Sequence, residues 1–377
     1  MTSRVPLSPL ELNAQNSLRR ESPRPKHLRG ADYDERFDSL TVFYDCFRTA
    51  DGGGTIMLGP PLFNLERDVL RALRRAYRLS WFSRIPVLRF DRHSQVRVGL
   101  VDNVNLPSSL FEQDRLVVQA NCSDLLQRRR VVMTLSRDNE LQWIKDWTRF
   151  FVRKHGADAV LLYDNASTKY SSDEIREAIN SVPGVAIGIV VDWPYPYGIQ
   201  DQRRWDSDYC QYGMLEHARH RFLTQAQAVV NSDIDELPIT AGGESLFEIA
   251  LRSSTGYLKY GGQWVESASE SPDAQTARRR HMHYIHRSKS PTCDTSSNPW
   301  THKWTVIPGR CPPGVQWSVH IVTGMIPDPL SSLVLFRHFK AINTNWAFGR
   351  WQPEALTRRD HVIDEELKEW LRVFNSE

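Results

Sequence analysis

Two carboxylates one residue apart, Asp233 and Asp235, close the apolar run at residues 226–236, AQAVVNSDIDE. Consecutive small and β-branched apolar residues read as a buried strand, and in an open α/β sheet ligands bind beyond the carboxyl ends of such strands. Strand alternation would send Asp233 and Asp235 to one side and Ile234 to the other. Two hard oxygen ligands then converge on one point, which suits a divalent cation holding a diphosphate. An isolated Asp-x-Asp pair is more often a solvated turn, so the elements leading up to it carry the argument.

From Arg128 onward the pattern alternates strand and helix, the signature of a parallel sheet with crossover helices. Strands are expected at 131–135, 159–163, 185–191 and 226–232. A helix is expected from Leu141, with Ile144, Trp147, Thr148 and Phe151 on one face and Gly156 as its stop. Shorter helices are expected at 172–179, capped by Ser171 or Ser172, and at 209–222. Right-handed crossovers would place the loops after these strands on one edge of the sheet. Ser136-Arg137-Asp138-Asn139-Glu140 and Asp164-Asn165-Ala166-Ser167 supply hydroxyl, amide and carboxylate groups that could read a ribose and a pyrimidine. Neither loop is Gly-rich, so a diphosphate there requires a cation or basic side chains.

At 377 residues, with 40% hydrophobic and 25% charged residues, the chain suits one large and one smaller globular domain. No apolar run approaches the ~20 residues that span a bilayer. Residues 1–30 lack the apolar core of a secretory signal and read as a flexible, disordered lead, so a cytoplasmic protein is expected. The five cysteines are odd in number, widely spaced and free of a Cys-x-x-Cys pair, which argues against a zinc site or a disulfide framework. The sequon Asn165-Ala166-Ser167 falls inside a loop needed for binding, which also favours a chain that never enters the secretory route.

Charge is uneven. Residues 1–130 hold 21 Lys and Arg against 15 Asp and Glu, a net +6, whereas the remainder nets −3. The first part is expected either to face something anionic, such as a membrane surface, a polyanionic glycan or an acidic partner, or simply to be a solvated basic face. Residues 31–128 read as an α+β accessory domain with strands near 40–44, 55–58, 86–90, 95–101 and 115–120. Between them, residues 65–79 repeat apolar residues at the helical period and place Arg67, Arg71, Arg74, Arg75 and Arg78 largely elsewhere, a surface helix with a basic face.

Taken in order, VVMTLSRDNELQWIKDWTRFFVRKHGADAVLLYDNAST, VVDWPYP and VVNSDIDELPI resemble the GT-A glycosyltransferases, most closely glycosyltransferase family 92 and related family 2-like bacterial enzymes. The likeness covers roughly residues 131–345. It implies an α/β GT-A fold, a Rossmann-like and mostly parallel sheet flanked by helices, over residues 129–350. It also implies a nucleotide-sugar donor, with uridine diphosphate as the expected carrier, and Mn²⁺ or Mg²⁺ as cofactor. Carried across by position, Thr134, Ser136, Asn139, Glu140, Asp164, Asn165 and Ser167 would line the donor site. Asp233 and Asp235 would reach the cation and the sugar phosphate, with His320 as the late third ligand. The acceptor is then a glycan or polysaccharide hydroxyl, as in capsule or surface-polysaccharide assembly, with no nucleic-acid partner and with peripheral attachment to a membrane-bound assembly as an accompanying possibility.

Lys303 and the run Arg337-His338-Phe339-Lys340 are candidates for neutralising the leaving diphosphate. Inversion, implied by the same resemblance, needs a carboxylate base. Residues 257–266 fit, with Gly261-Gly262 for close approach, Trp264 as an aromatic platform and Glu266 as base; Asp294 is the alternative. His281, His283 and His286 could form a separate metal site, although a half-buried strand explains them better. Residues 353–374 space Val362, Leu367, Trp370, Leu371 and Phe374 as an amphipathic helix over the C-terminal segment 351–377. Two other functions stay open: a noncatalytic module that binds nucleotide sugars or glycans, and a metal-dependent phosphohydrolase, whose sites usually hold more clustered ligands.

Overall fold

The computed structural model describes residues 5–80, 84–199, 207–289, 302–344, 352 and 354–375. Asp294, the alternative base, lies outside the described residues. The chain divides into two compact units, one of Val5–Leu125 with Asp192–Thr224, the other chiefly Leu126–Val191 with Gln225–Glu377. The chain therefore passes between the two units at 125/126, again at 191/192 and again at 224/225. The helix Tyr209–Arg221, expected as a crossover of the main sheet, belongs to the N-terminal unit. It is buried nearly all round, from Tyr209 and Cys210 to Glu216, His217 and Arg221, which is a core element rather than an amphipathic cover.

In the N-terminal unit, β1 (Asp45–Arg48), β2 (Gly54–Gly59), β3 (Val87–Arg89) and β4 (Ser94–Gly99) form an antiparallel sheet in the order β1-β2-β4-β3. Helix α1 (Glu66–Ala76) packs Val69, Ala72 and Leu73 into its apolar cluster. Residues 5–30 depart from the disordered lead expected of them. Leu10 and Leu12 join the same core, and the buried Arg20 guanidinium donates to the carbonyls of Pro61, Asp38 and Thr41. The Pro, Ser and Arg content that reads as flexible is here fixed by long-range packing and by three hydrogen bonds on one buried cation.

The second unit is α/β. An eight-stranded mixed sheet runs β7-β6-β5-β8-β11-β10-β12-β9, where β5 is Arg130–Ser136, β6 Ala159–Asp164, β7 Ile187–Asp192, β8 Ala228–Asn231, β9 Glu236–Thr240, β10 Tyr257–Val265, β11 His302–Val306 and β12 Val334–Phe339. β6 and β8 both pair with β5 in parallel, whereas β8/β11, β11/β10 and β12/β9 are antiparallel. β10 and β12 also pair in parallel, so the sheet is mixed and mostly parallel. Its central strands are buried along most of their length, with Val131, Val132, Met133, Val160 and Leu162 all inaccessible, as fits a sheet covered on both faces.

Helix α2 (Leu141–Phe150) buries Trp143, Ile144, Trp147 and Phe150, and its final turn closes at Gly156 with φ 70°. Burying side chains of this size stabilises by about 1.5–3 kcal/mol each. Helix α3 (Ser172–Asn180) begins with a capping box in which Ser171 and Glu174 each satisfy the other's backbone N–H. The expected C-terminal helix is shorter than its periodicity suggests: a strand at His361–Ile363 precedes α5 (Glu365–Trp370), whose Leu367, Trp370, Leu371 and Phe374 fill the main core. Helix α4 (Leu246–Arg252) packs on the same cluster.

Candidate functional site

Because β5, β6 and β8 run in parallel register, with Asn231 opposite Met133 and Asp164 opposite Ser136, the segments that follow them leave the sheet along one edge. Residues 137–140, 165–171 and 232–235 are those segments. The loops after β5 and β6 are tied to each other. Asn165 N–H donates to the Ser136 carbonyl at 2.8 Å, Asn139 Nδ2 to Ser136 Oγ at 2.9 Å, and Asp138 N–H to Ser167 Oγ at 2.8 Å. Ser167 Oγ donates to Asp164 Oδ1 at 2.5 Å, and Asp138 accepts from Thr168 N–H at 2.6 Å. Glu140 pairs with Lys169 at 2.6 Å. Thr134 is fully buried, and Ser136, Asp164 and Asn165 nearly so. The polar groups expected to read a nucleoside thus first hold the edge in shape, with Asp138 and Ala166 at φ 53° and 56° bending the loops back.

Strand β8 stops at Asn231, so Asp233 and Asp235 lie in a turn rather than on a strand, and simple alternation does not place them. The turn is closed by the Glu236 N–H donating to the Asp233 carbonyl at 3.0 Å, and by the Asp233 N–H donating back to the Glu236 carboxylate at 2.9 Å. His281 fixes it from behind. That buried ring lies 2.9 Å from the Ile234 carbonyl through Nε2, which must carry the proton to donate there. His281 sits in a single helical turn, His281–His283, and His286 in a separate short strand, so the three histidines do not share the one half-buried strand expected of them.

The two aspartates have different partners. Lys303, delivered by β11 beside β8, places Nζ 2.6 Å from Asp233 and 3.1 Å from Glu236. Asp235 instead meets His338 Nε2 at 3.0 Å, His338 standing opposite Glu236 in the β9/β12 ladder. Among the described residues, Asp235, Glu236 and His338 offer ligand atoms all within 4.8 Å of one another. Asp233 and His320, expected to complete the ligand set with Asp235, are not in that group. Asp233 is held by Lys303, and His320 Nδ1 lies 3.0 Å from the His302 carbonyl, in a bend rather than at a strand end. Burial, then the Lys303 charge, drops the His320 imidazole to about 4.

Burial lifts Glu236 most, and although Lys303 pulls it down, Asp233 and Asp235 push it further up, to about 7. Lys303 is raised despite its burial, chiefly by Asp233 and then by Glu236. Three carboxylates thus share one ammonium and one imidazole. A hard divalent cation fits this donor set of two carboxylates and an imidazole, since it would remove the energetic cost of ionising Glu236.

Trp264 stacks on His338 with ring centroids 4.0 Å apart, and Lys340 ion-pairs with the nearly buried Glu266. Alternation on β12 explains the split of the basic run. His338 faces the site, whereas Arg337 points away and is buried against Asp364 at 2.6 Å and Glu366 at 3.0 Å. Arg337 is therefore not available to a leaving diphosphate. Gly262 also differs from its expected role. A Cβ there would come within 2.2 Å of the Phe336 ring, so the glycine accommodates core packing rather than a substrate.

No family profile and no curated protein matches the chain. Among solved structures it is similar to WbbM, a bifunctional glycosyltransferase in its apo form, at 10% identity over 52% of this chain and 35% of that one, with a TM-score of 0.28. It is likewise similar to the galactosyltransferase LgtC in complex with donor and acceptor sugar analogues, at 11% identity over 48% of this chain and 58% of that one, with a TM-score of 0.26. The chain spans less than two thirds of either protein. Among the described residues no helix is long and apolar enough to cross a membrane.

Proposed function

We propose that the chain is a metal-dependent glycosyltransferase that moves a sugar from a nucleotide diphosphate to a glycan hydroxyl with inversion. The observation that carries this reading is the convergence of Asp235, Glu236 and His338 on the sheet edge where the two polar loops also emerge. In this reading those three side chains hold Mn²⁺ or Mg²⁺, which supplies Lewis-acid charge to the donor diphosphate. Lys303 keeps Asp233 and Glu236 in place and adds a fixed positive charge at the phosphate side. Residues 137–140 and 165–168 border the nucleoside.

Trp264, stacked on the metal-side imidazole, offers a flat apolar surface for a sugar ring, and Glu266 lies just past the end of β10, two residues beyond it. Glu266, kept as the partner of Lys340, takes the proton of the attacking hydroxyl. With a panel of UDP-sugars and Mn²⁺, Asp235→Asn should lower turnover about a thousandfold, the several kcal/mol that a positioned metal supplies. Full activity of that variant, or of wild type in excess chelator, refutes the metal role. For Glu266→Gln with donor binding intact, a loss in kcat of less than about tenfold removes Glu266 from the base role, since general bases contribute about 10²–10⁴-fold.

A further inference from the structure

Helix α1 carries an arginine stripe that the proposed chemistry does not use. Its core side is Val69, Ala72 and Leu73. At about 100° per residue, Arg67, Arg71 and Arg74 fall within about 60° of one another on the opposite side, with Arg75 beside them. Arg67 and Arg75 are exposed. The first-turn carboxylates lie off this line, Glu66 paired with Arg89 at 2.5 Å and Asp68 with Arg71 at 3.3 Å. Like charges at i and i+4, Arg67 with Arg71 and Arg71 with Arg75, work against the helix. Asp68 relieves this repulsion at Arg71, whereas the exposed Arg67 and Arg75 have no acidic partner among the described residues.

Apolar side chains bracket it. Phe63 lies in the turn just before α1 and Leu79 just after it, 45% and 37% exposed. Phe63 adopts φ 45°, a left-handed conformation that costs a bulky residue strain. The ring meets Tyr209 edge-on, with centroids 6.4 Å apart, and otherwise the strained backbone leaves an aromatic side chain half in solvent.

We propose that this face docks on an anionic lipid bilayer, with the arginines on headgroup phosphates and Phe63 and Leu79 at the acyl boundary. Guanidinium forks match phosphate oxygens bidentately, and a stripe made only of arginine suits a phosphate-rich plane. The flanking apolar groups favour lipid, because a bilayer offers an apolar layer beneath its phosphates and a nucleic-acid backbone does not.

The test is cosedimentation of the full chain with vesicles of phosphatidylcholine alone and of phosphatidylcholine with phosphatidylserine in equal parts. Binding is expected to the anionic vesicles alone and should weaken with salt. Each arginine removed should weaken it about fivefold, so R67Q/R71Q/R75Q should lose roughly a hundredfold. F63S should lose severalfold with the salt dependence unchanged. Equal binding to both vesicles, binding to neither, or a triple variant that binds like wild type overturns the proposal. So does arginine-dependent binding to duplex RNA without vesicle binding. If the triple variant loses its circular dichroism signal, R67Q and R75Q, both at exposed positions, give the same graded answer singly.

Discussion

Each unit of this protein buries a cluster of charged side chains, and the two are balanced oppositely. In the N-terminal unit Asp45 meets Arg221 at 2.6 Å and His217 at 2.8 Å, while Glu216 meets His220 at 3.2 Å, Arg219 at 3.3 Å and His93 at 3.7 Å. Burial alone would raise Asp45, but Arg221 and His217 more than offset it and hold it below its ordinary value. Burial likewise opposes ionisation of Glu216, yet the hydrogen bond with His220 and the charges of His93 and Arg219 bring it to about 2. In the other unit Lys303 meets Asp233 and Glu236, His338 meets Asp235, and Glu236 rises to about 7. The first cluster is closed and supplies its own cations. The second sets three carboxylates against one buried ammonium among the described residues, with the Asp233 side chain 37% exposed. A buried acid raised this far marks a candidate functional site rather than a purely structural ion pair.

The comparison is broken most directly by removing an acid from each cluster. Asp45→Asn leaves Arg221 buried without its carboxylate and should cost about 3–5 kcal/mol in urea unfolding. The matching change Glu236→Gln should leave stability at neutral pH unchanged or higher. Equal losses in the two variants would abolish the distinction.

The pH dependence sharpens it. Glu236 has its folded value near 7, above the 4.5 of the unfolded chain, so the stability it confers as a neutral acid is full below 4.5 and is lost as pH rises through 7. In chelator, wild type minus Glu236→Gln should therefore fall by about 3 kcal/mol across that window. Taking this difference cancels His155, a buried histidine that burial holds at about 4 and whose stabilising contribution changes in the other direction, growing as pH rises toward 6.5. A flat difference would mean that Lys303 already neutralises Glu236.

Mn²⁺ at a hundredfold excess over its dissociation constant should stabilise wild type by about 2.7 kcal/mol, seen as a rise in Tm, and should do nothing for Asp235→Asn. The smallest effect is expected behind the turn. His281→Leu removes the donor to the Ile234 carbonyl and should weaken Mn²⁺ binding about tenfold by titration calorimetry. Unchanged affinity would show that the turn holds its shape without that bond.

Much of the second unit is legible in local pattern. The strands at β5, β6 and β8, the apolar face of α2, its stop at Gly156 and the Ser171 cap follow from periodicity and turn chemistry, both of which act over a few residues. The unit to which the helix Tyr209–Arg221 belongs is not legible in its sequence, because a helix buried all round shows no face to assign it to a sheet. His338 could have been separated from Arg337 by strand alternation alone, but nothing local says which side of β12 faces the aspartates.

The acids just past an apolar strand, and the polar loops after two earlier strands, are legible in the sequence because strand propensity and loop composition are short-range properties. Tertiary structure alone decided which groups meet there. Asp235 finds His338 across 103 positions of chain, and Lys303 reaches Asp233 across 70. Those pairings are set by strand order and register, which depend on how the whole apolar core packs.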